Sequence, residues 1–209
     1  MTLVDTSLRD WFGDIDIYLF DQILRGRITP GMRILDAGCG SGRNLVYFMR
    51  AGYDVAGVDQ SAASVEATRA LATRLAPRVP ADAFRVEAVE RLSFAPSSVD
   101  VVISSAILHF ARDEAQFRAM LDAMWRTLRP GGLFFARLAS SIGMTPAELT
   151  PLGGRRFTLP DGSDRFLVDE DMLMTETGRL GGRLVDPLKT TVVQRARCMT
   201  TWVLDRNDL

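Results

Sequence analysis

Residues 34–44 read ILDAGCGSGRN, with three glycines inside five positions at the end of an apolar run. Glycine in a strand or helix interior costs roughly 0.5–1 kcal/mol relative to alanine. Gly38, Gly40 and Gly42 therefore mark a junction where the backbone itself is wanted. Gly38 and Gly40 remove Cβ atoms where a ligand would meet the main chain, and they permit the positive φ of a tight strand-to-helix turn.

Outward from that turn, short apolar runs alternate with helical patterns. Residues 32–38 and 54–59 read as strands, and residues 42–52 as a helix closed by Gly52. Residues 61–76 form a helix opened by Ser61 as N-cap and stopped by Pro77. Residues 84–89, 99–105 and 133–139 are further strands. Between the last two, Phe117, Met120, Leu121, Met124 and Leu128 form the stripe of a core-facing helix. Asp113 and Gln116 resemble a capping pair at its start, and Pro130-Gly131-Gly132 stop it. This alternation predicts a parallel sheet covered on both faces.

After residue 140 the pattern changes. Residues 155–168 read as a hairpin about Asp161-Gly162, followed by a helix over 169–178. Residues 183–194 and 198–204 are strands too close together for a crossover helix, so they pair antiparallel at the sheet edge. The expected fold is α/β and doubly wound: a mostly parallel seven-stranded sheet with an antiparallel edge strand and helices on both faces. One domain is expected over 1–209. Residues 1–30 would be a helical cap whose apolar face is Trp11, Phe12, Ile15, Leu19, Phe20 and Ile23, and residues 140–182 a hairpin and helix insertion near the site.

Composition narrows the function. The 209 residues are 47% hydrophobic and 24% charged with a net charge of −1, which leaves no basic footprint for nucleic acid or an anionic membrane. Two cysteines, Cys39 and Cys198, and one histidine, His109, support neither a disulfide scaffold nor a metal cluster. The sequence shows no leader pattern and no apolar span of membrane length, so a soluble, cytoplasmic protein is expected.

In open parallel sheets ligands bind beyond the carboxyl ends of the strands, where strand order reverses. The dinucleotide fingerprint G-x-G-x-x-G would need glycine at the position held by Arg43. The acid that ends the second strand is kept: Asp59 lies 21 residues after Gly38 (59 − 38). Its carboxylate can accept from both hydroxyls of a ribose, so the pattern points to a ligand with a ribose and no diphosphate.

ILDAGCGSGRN, then VAGVDQS (55–61), VDVVISSAILHF (99–110) and LRPGG (128–132), resemble the class I S-adenosylmethionine-dependent methyltransferases. The likeness is nearest to small-molecule enzymes of the tellurite-resistance type, which share G-C-G-x-G-R-N. It implies S-adenosylmethionine as cofactor, S-adenosylhomocysteine as product and a small-molecule methyl acceptor as partner.

It also implies site residues. Asp36 would hold the methionine amino group, directly or through water, and the backbone of Ala37, Gly38, Cys39 and Gly40 would line the methionine and ribose. Arg43 would reach the methionine carboxylate, and Asp59 the ribose diol with Gln60 beside the adenine. Many relatives place an Asp where Ala88 sits, so Val89's backbone or Glu90 would have to meet the adenine amino group. Ser104 and Ser105, at the end of the fourth strand, would be further cofactor-binding residues.

His109, just past that strand, reads either as a general base near neutral pKa or as a hydrogen-bonded wall residue. Cys39 reads as packing. Arg137 should pair with a carboxylate or face the pocket, and Arg155, Arg156 and Arg165 flank the hairpin that could roof the site. Trp11 and Tyr18 read as packing the N-terminal helix, or as a lid. Two other readings remain open on the same sheet: a non-catalytic cofactor-binding or regulatory protein, and an NAD-dependent oxidoreductase.

Overall fold

A computed structural model describes residues 7–207, so the first six residues of the expected cap lie outside the described residues. Two short helices, α1 (Leu8–Phe12) and α2 (Ile17–Leu24), precede β1 (Arg33–Ala37). Then follow α3 (Val46–Arg50), β2 (Asp54–Asp59), α4 (Ala62–Leu75), β3 (Phe84–Val86), β4 (Val99–Ser105), α5 (Glu114–Thr127) and β5 (Leu128–Ala139). A small antiparallel sheet of β6 (Thr150–Gly153), β7 (Arg156–Thr158) and β8 (Asp164–Phe166) precedes α6 (Glu170–Arg179). The chain closes with β9 (Gly182–Leu184), β10 (Lys189–Val193) and β11 (Arg197–Arg206).

The main sheet has the order β10-β11-β5-β4-β1-β2-β3, with β9 also paired to β11. The first five strands run parallel, whereas β11 is antiparallel to β5, β9 and β10. The doubly wound, mostly parallel architecture is as expected, but eight strands stand where seven were predicted. The difference lies in residues 183–194, expected as one strand. Pro187 has no N–H to continue a ladder, and Asp186 turns inward to Arg27 at 2.6 Å. The run therefore splits into β9 and β10.

Three other boundaries moved for local reasons. The helix expected over 42–52 is regular only from Val46, because Gly42 sits at φ +83° in the turn before it. The strand expected over 84–89 ends at Val86, which already pairs with Asp59, the last residue of β2. Pro130-Gly131-Gly132 lie within the long strand β5, where the pairing with β4 shifts register.

Each sheet face has its own apolar layer. Phe117, Leu121 and Met124 of α5 and Leu173 of α6 pack with Leu35, Phe134 and Trp202 on one face. Leu19 of α2, Phe48 and Met49 of α3 and Val65 of α4 pack with Ile34, Ile103 and Phe135 on the other. The helix ends are made as the sequence implied: Ser61 accepts from Ser64 N at 3.2 Å and Asp113 from Gln116 N at 2.7 Å. One cap residue departs from expectation. Trp11 is 43% exposed, while Phe12 turns inward and stacks on Tyr47 with ring centroids 5.1 Å apart. Among the described residues, no helix is long and apolar enough to cross a membrane.

Candidate functional site

The parallel strands β1, β2, β3 and β4 end on one side of the sheet, and two cavities open there. The first, about 290 Å³, is lined by Gly38, Asp59, Gln60 and the 88–90 turn, together with Ile107, Phe110, Gln116 and Met120. The second, about 330 Å³, includes Ala106, His109, Phe110, Arg137, Leu159, Arg165, Arg197 and Met199. Phe110, 57% exposed, borders both.

The glycine turn works through close approach and open space. Gly38 has φ +87°, and a Cβ there would come within 2.8 Å of the Ile107 side chain. Gly40 has φ +54°, and a Cβ there would meet nothing within 4 Å. Gly38 is thus demanded by packing against the strand-four loop, a reason the sequence did not reveal, whereas the space over Gly40 is free for a ligand. The Cys39 side chain sits over Gly57, whose hypothetical Cβ would lie 3.0 Å from it. Burial pushes its thiol up to about 12, so it is inert packing.

Asp59 is held by the turn it faces. Oδ2 accepts from Gly40 N at 3.0 Å, and Oδ1 accepts from Ser61 N at 2.9 Å. The carboxylate therefore ties the glycine turn to the start of α4, beyond the cleft-facing role expected of it. Asp36 is the opposite case. It is 1% exposed and neither carboxyl oxygen has a hydrogen-bond partner among the described residues. Burial pushes its pKa up to about 7, opposed by the Arg43 charge and reinforced by Asp59. A buried carboxyl in this state lacks a donor.

Other predicted residues are spread around this pair. Ala88, Val89 and Glu90 line the first cavity in a 3₁₀ turn, where Glu90 Oε1 accepts from Gln116 Nε2 at 3.0 Å. Ala37 is fully buried in β1, and Ser104 is fully buried with its hydroxyl unpartnered. Arg43 is exposed and reaches the N-terminal segment, donating from Nη1 to Asp14 O at 3.1 Å and from Nη2 to Ser105 Oγ at 2.9 Å. Ser105 donates to Asp16 Oδ2 at 3.0 Å, and the same oxygen pairs with Arg137 Nη1 at 3.2 Å. Arg137 thus meets both expectations, a carboxylate partner and a place on a cavity wall.

His109 sits in the second cavity, where its Nδ1 accepts from the Ala139 backbone N at 3.1 Å. Burial, then the charges of Arg165 and Arg137, push its pKa down to about 4. A neutral ring that accepts at Nδ1 carries its proton on Nε2 and is a donor at neutral pH. This differs from the near-neutral base considered from sequence. Of the hairpin arginines, Arg155 pairs with Asp169 at 2.8 Å and only Arg165 faces the cavity. Tyr18 hydrogen-bonds Thr191 at 2.5 Å, and neither it nor Trp11 lines the two cavities.

Sequence reasoning missed Ile107, Phe110, Gln116 and Met120 as cavity residues. Met120 was visible as part of the core stripe of α5, and it serves the core and the cavity wall at once. Asp16, the N-cap of α2, gave no signal beyond its type.

Comparison with known proteins bears on the family and the fold. A family described as a methyltransferase domain matches residues 35–136. This stretch of the chain is a methyltransferase domain. An uncharacterised methyltransferase of Synechocystis is 34% identical over 107 residues, covering 51% of this chain and 47% of that protein. The chain spans about half the length of such curated relatives.

Among solved structures, a Burkholderia thailandensis 1,6-didemethyltoxoflavin-N1-methyltransferase, bound to 1,6-didemethyltoxoflavin and S-adenosylhomocysteine, aligns with TM-score 0.70. It is 20% identical over 95% of this chain and 81% of that one. The [4+2]-cyclase SpnF aligns with TM-score 0.70 at 14% identity, covering 91% of this chain and 81% of its own. The fold is therefore the Rossmann-like fold of class I methyltransferases, and it is a scaffold that also carries other chemistry.

Proposed function

We propose that the protein transfers a methyl group from S-adenosylmethionine to a small-molecule acceptor and releases S-adenosylhomocysteine. The observation that carries this reading is Asp36, a buried carboxyl with neither oxygen partnered, beside a glycine turn that leaves open space. A methionine ammonium would supply the donor that Asp36 lacks. Asp59 has one backbone N–H on each oxygen, and an ionised carboxylate has about four acceptor sites. One site on each oxygen therefore stays open to a ribose hydroxyl. Val89, Glu90 and Met120 would border the adenine, and Arg43 and Ser105 the methionine end.

When bound, S-adenosylmethionine supplies an electrophilic methyl group on a sulfonium, whose transfer leaves a neutral thioether. The chain's part is to hold the acceptor in line and keep water out. Phe110, on the wall between the cavities, is suited to orient both ligands. His109 would donate from Nε2 to an acceptor oxygen or nitrogen, and it would not remove a proton. Residues 140–182 would shape the acceptor side and residues 7–30 cap the cofactor side of one domain. A volume of about 330 Å³ lies at the low end of ligand pockets, roughly 300–1,000 Å³, which favours a small acceptor over a macromolecule.

A thermal-shift series tests the cofactor. S-adenosylhomocysteine at about 100 times its Kd adds roughly 2.7 kcal/mol, or about 5–11 °C in Tm for a chain of this size. NAD and NADP should give no shift, since the third dinucleotide glycine is Arg43. Stabilisation by NAD with none by S-adenosylhomocysteine would overturn the reading. Transfer of labelled methyl into a metabolite extract then separates an enzyme from a binding protein.

A further inference from the structure

The second cavity has an unbalanced charge. Three arginines line it, and two have carboxylate partners: Arg137 with Asp16 at 3.2 Å and Arg197 with Asp161 at 3.4 Å. Arg165 has none within 4 Å among the described residues. Its Nη1 donates to the Asp164 backbone oxygen at 2.7 Å, and its guanidinium lies 4.8 Å from the centre of the Phe110 ring. With Asp16 and Asp161 counted, the lining carries one net positive charge. His109, held below its ordinary pKa first by burial and then by the charges of Arg165 and Arg137, stands on the same wall.

The rest of the wall is apolar. Leu159, Ala139 and Met199 lie between the charged groups, and the Phe110 ring is 57% exposed. The exposed Phe110 ring and the half-buried Arg165 guanidinium thus stand together on the wall of a concave, mostly apolar cavity, the kind of place small ligands occupy. One uncompensated guanidinium matches one carboxylate, which it can grip with two parallel N–H donors. A doubly charged phosphate would overshoot the charge, and a cation would be repelled.

Building on the methyl-transfer reading, we propose that this cavity is the acceptor site and selects a small, mostly apolar monocarboxylate anchored by Arg165, with its apolar body against Phe110. Asp161 and Arg197 would form the polar rim, and His109 would meet the acceptor from the sheet side.

The test uses protein loaded with S-adenosylhomocysteine and matched pairs of probes: benzoate against benzamide and 3-phenylpropionate against 3-phenylpropionamide, followed by calorimetry or ligand-detected NMR. Wild type should bind each carboxylate about tenfold or more tightly than its amide. Arg165→Gln should cut that preference below about threefold, Arg165→Lys should keep part of it, and both should bind S-adenosylhomocysteine as wild type does.

Equal binding of acid and amide, no detectable carboxylate binding, or a preference unchanged in Arg165→Gln would each overturn the proposal while leaving the cofactor reading intact. If S-adenosylhomocysteine itself fails to bind wild type, the methyl-transfer reading falls instead. The acid–amide comparison on unloaded protein then decides the anion site separately. Stronger binding of phenyl phosphate than of benzoate would overturn the choice of a monoanion.

Discussion

The two cavities share one wall, Phe110, and are built in opposite ways. The first is made where neighbouring parallel strands end, from Gly38 after β1, Asp59 and Gln60 at the end of β2, and residues 88–90 after β3. Its working parts are backbone amides and carboxylates, and each comes from a strand end next to the last. The second draws on the ends of β4 and β5, the β7–β8 hairpin, the end of β10 and the start of β11. Its working parts are long cationic side chains from segments far apart in sequence. A parallel sheet fixes the first arrangement through its own register, while the second depends on how an insertion and an antiparallel edge happen to be decorated. One scaffold can therefore keep the first cavity and change the second.

If the first cavity rests on strand-end carboxylates, removing Asp59 should do the most damage. Hydrogen bonds to a charged group contribute roughly 1.5–3 kcal/mol each. Losing two ribose contacts should cost about 2–5 kcal/mol, on the order of 30-fold to several thousand-fold in affinity for S-adenosylhomocysteine. Asp59→Ala also strips the acceptor from Gly40 N and Ser61 N. A small fall in Tm, about 2–8 °C, should accompany the loss of binding. Asp59→Asn cannot rescue the site, because either amide orientation sets an NH₂ against one of those two N–H groups. Calorimetric titration and thermal melts on the same samples check both parts, and binding within threefold of wild type would break the comparison at its strongest point.

The contrast also explains what the sequence disclosed. Asp36, Gly38, Gly40 and Asp59 lie close together in the chain and the parallel pairing of β1 with β2 brings them to neighbouring strand ends, so their proximity was legible from spacing, while the role expected of Asp36 came from the family resemblance. The parallel order and the antiparallel β11 followed from which runs were separated by helices. Charge pairing was not legible. Arg137 meets Asp16 across 121 positions and Arg27 meets Asp186 across 159, and no local rule joins residues so distant. For the same reason Arg165 could not be told from Arg155 until the hairpin was folded, when one proved paired with Asp169 and the other faced the cavity. The break at Val86 was set by its ladder partner Asp59, which propensity does not see, whereas the break at Pro187 was signalled in the sequence by a residue with no N–H to donate.

On the second cavity's side, His109 gives an effect of about 2 kcal/mol. Its native pKa of about 4 lies below the ordinary 6.5. A depressed imidazole contributes stability that is present above pH 6.5 and lost as pH falls toward 4, because only the unfolded chain gains the proton in that window. Between pH 7 and 5 the wild type should lose about 2 kcal/mol on this account, or roughly 4–8 °C in Tm. His109→Gln keeps an acceptor for Ala139 N but does not titrate, so its Tm should fall less over the same range. Parallel slopes for the two proteins would mean that His109 is solvated and available as a base, and would erase the distinction drawn between a donor wall and a catalytic one.

The smallest effect belongs to the residue that best tests the first cavity, Asp36. Its carboxyl is fully buried, unpartnered, and raised to about 7 from an ordinary 3.8. For the ligand-free protein, a raised acid contributes stability that is present below about pH 3.8 and lost as pH rises through 7. Binding should run the other way, since only the ionised form can pair with the ammonium of the methionine end. The ionised fraction rises from about one in eleven at pH 6 to about ten in eleven at pH 8, so S-adenosylhomocysteine should bind about tenfold more tightly at the higher pH. His109, with its pKa near 4, does not titrate in that window and cannot mimic the effect. Asp36→Asn fixes a neutral side chain of the same shape, and its affinity should be weak and flat from pH 6 to 8. Calorimetry in buffers of matched ionic strength reads both slopes. A flat wild-type profile would mean that the ammonium is held elsewhere, and the orphaned carboxyl at the end of β1 would need another donor.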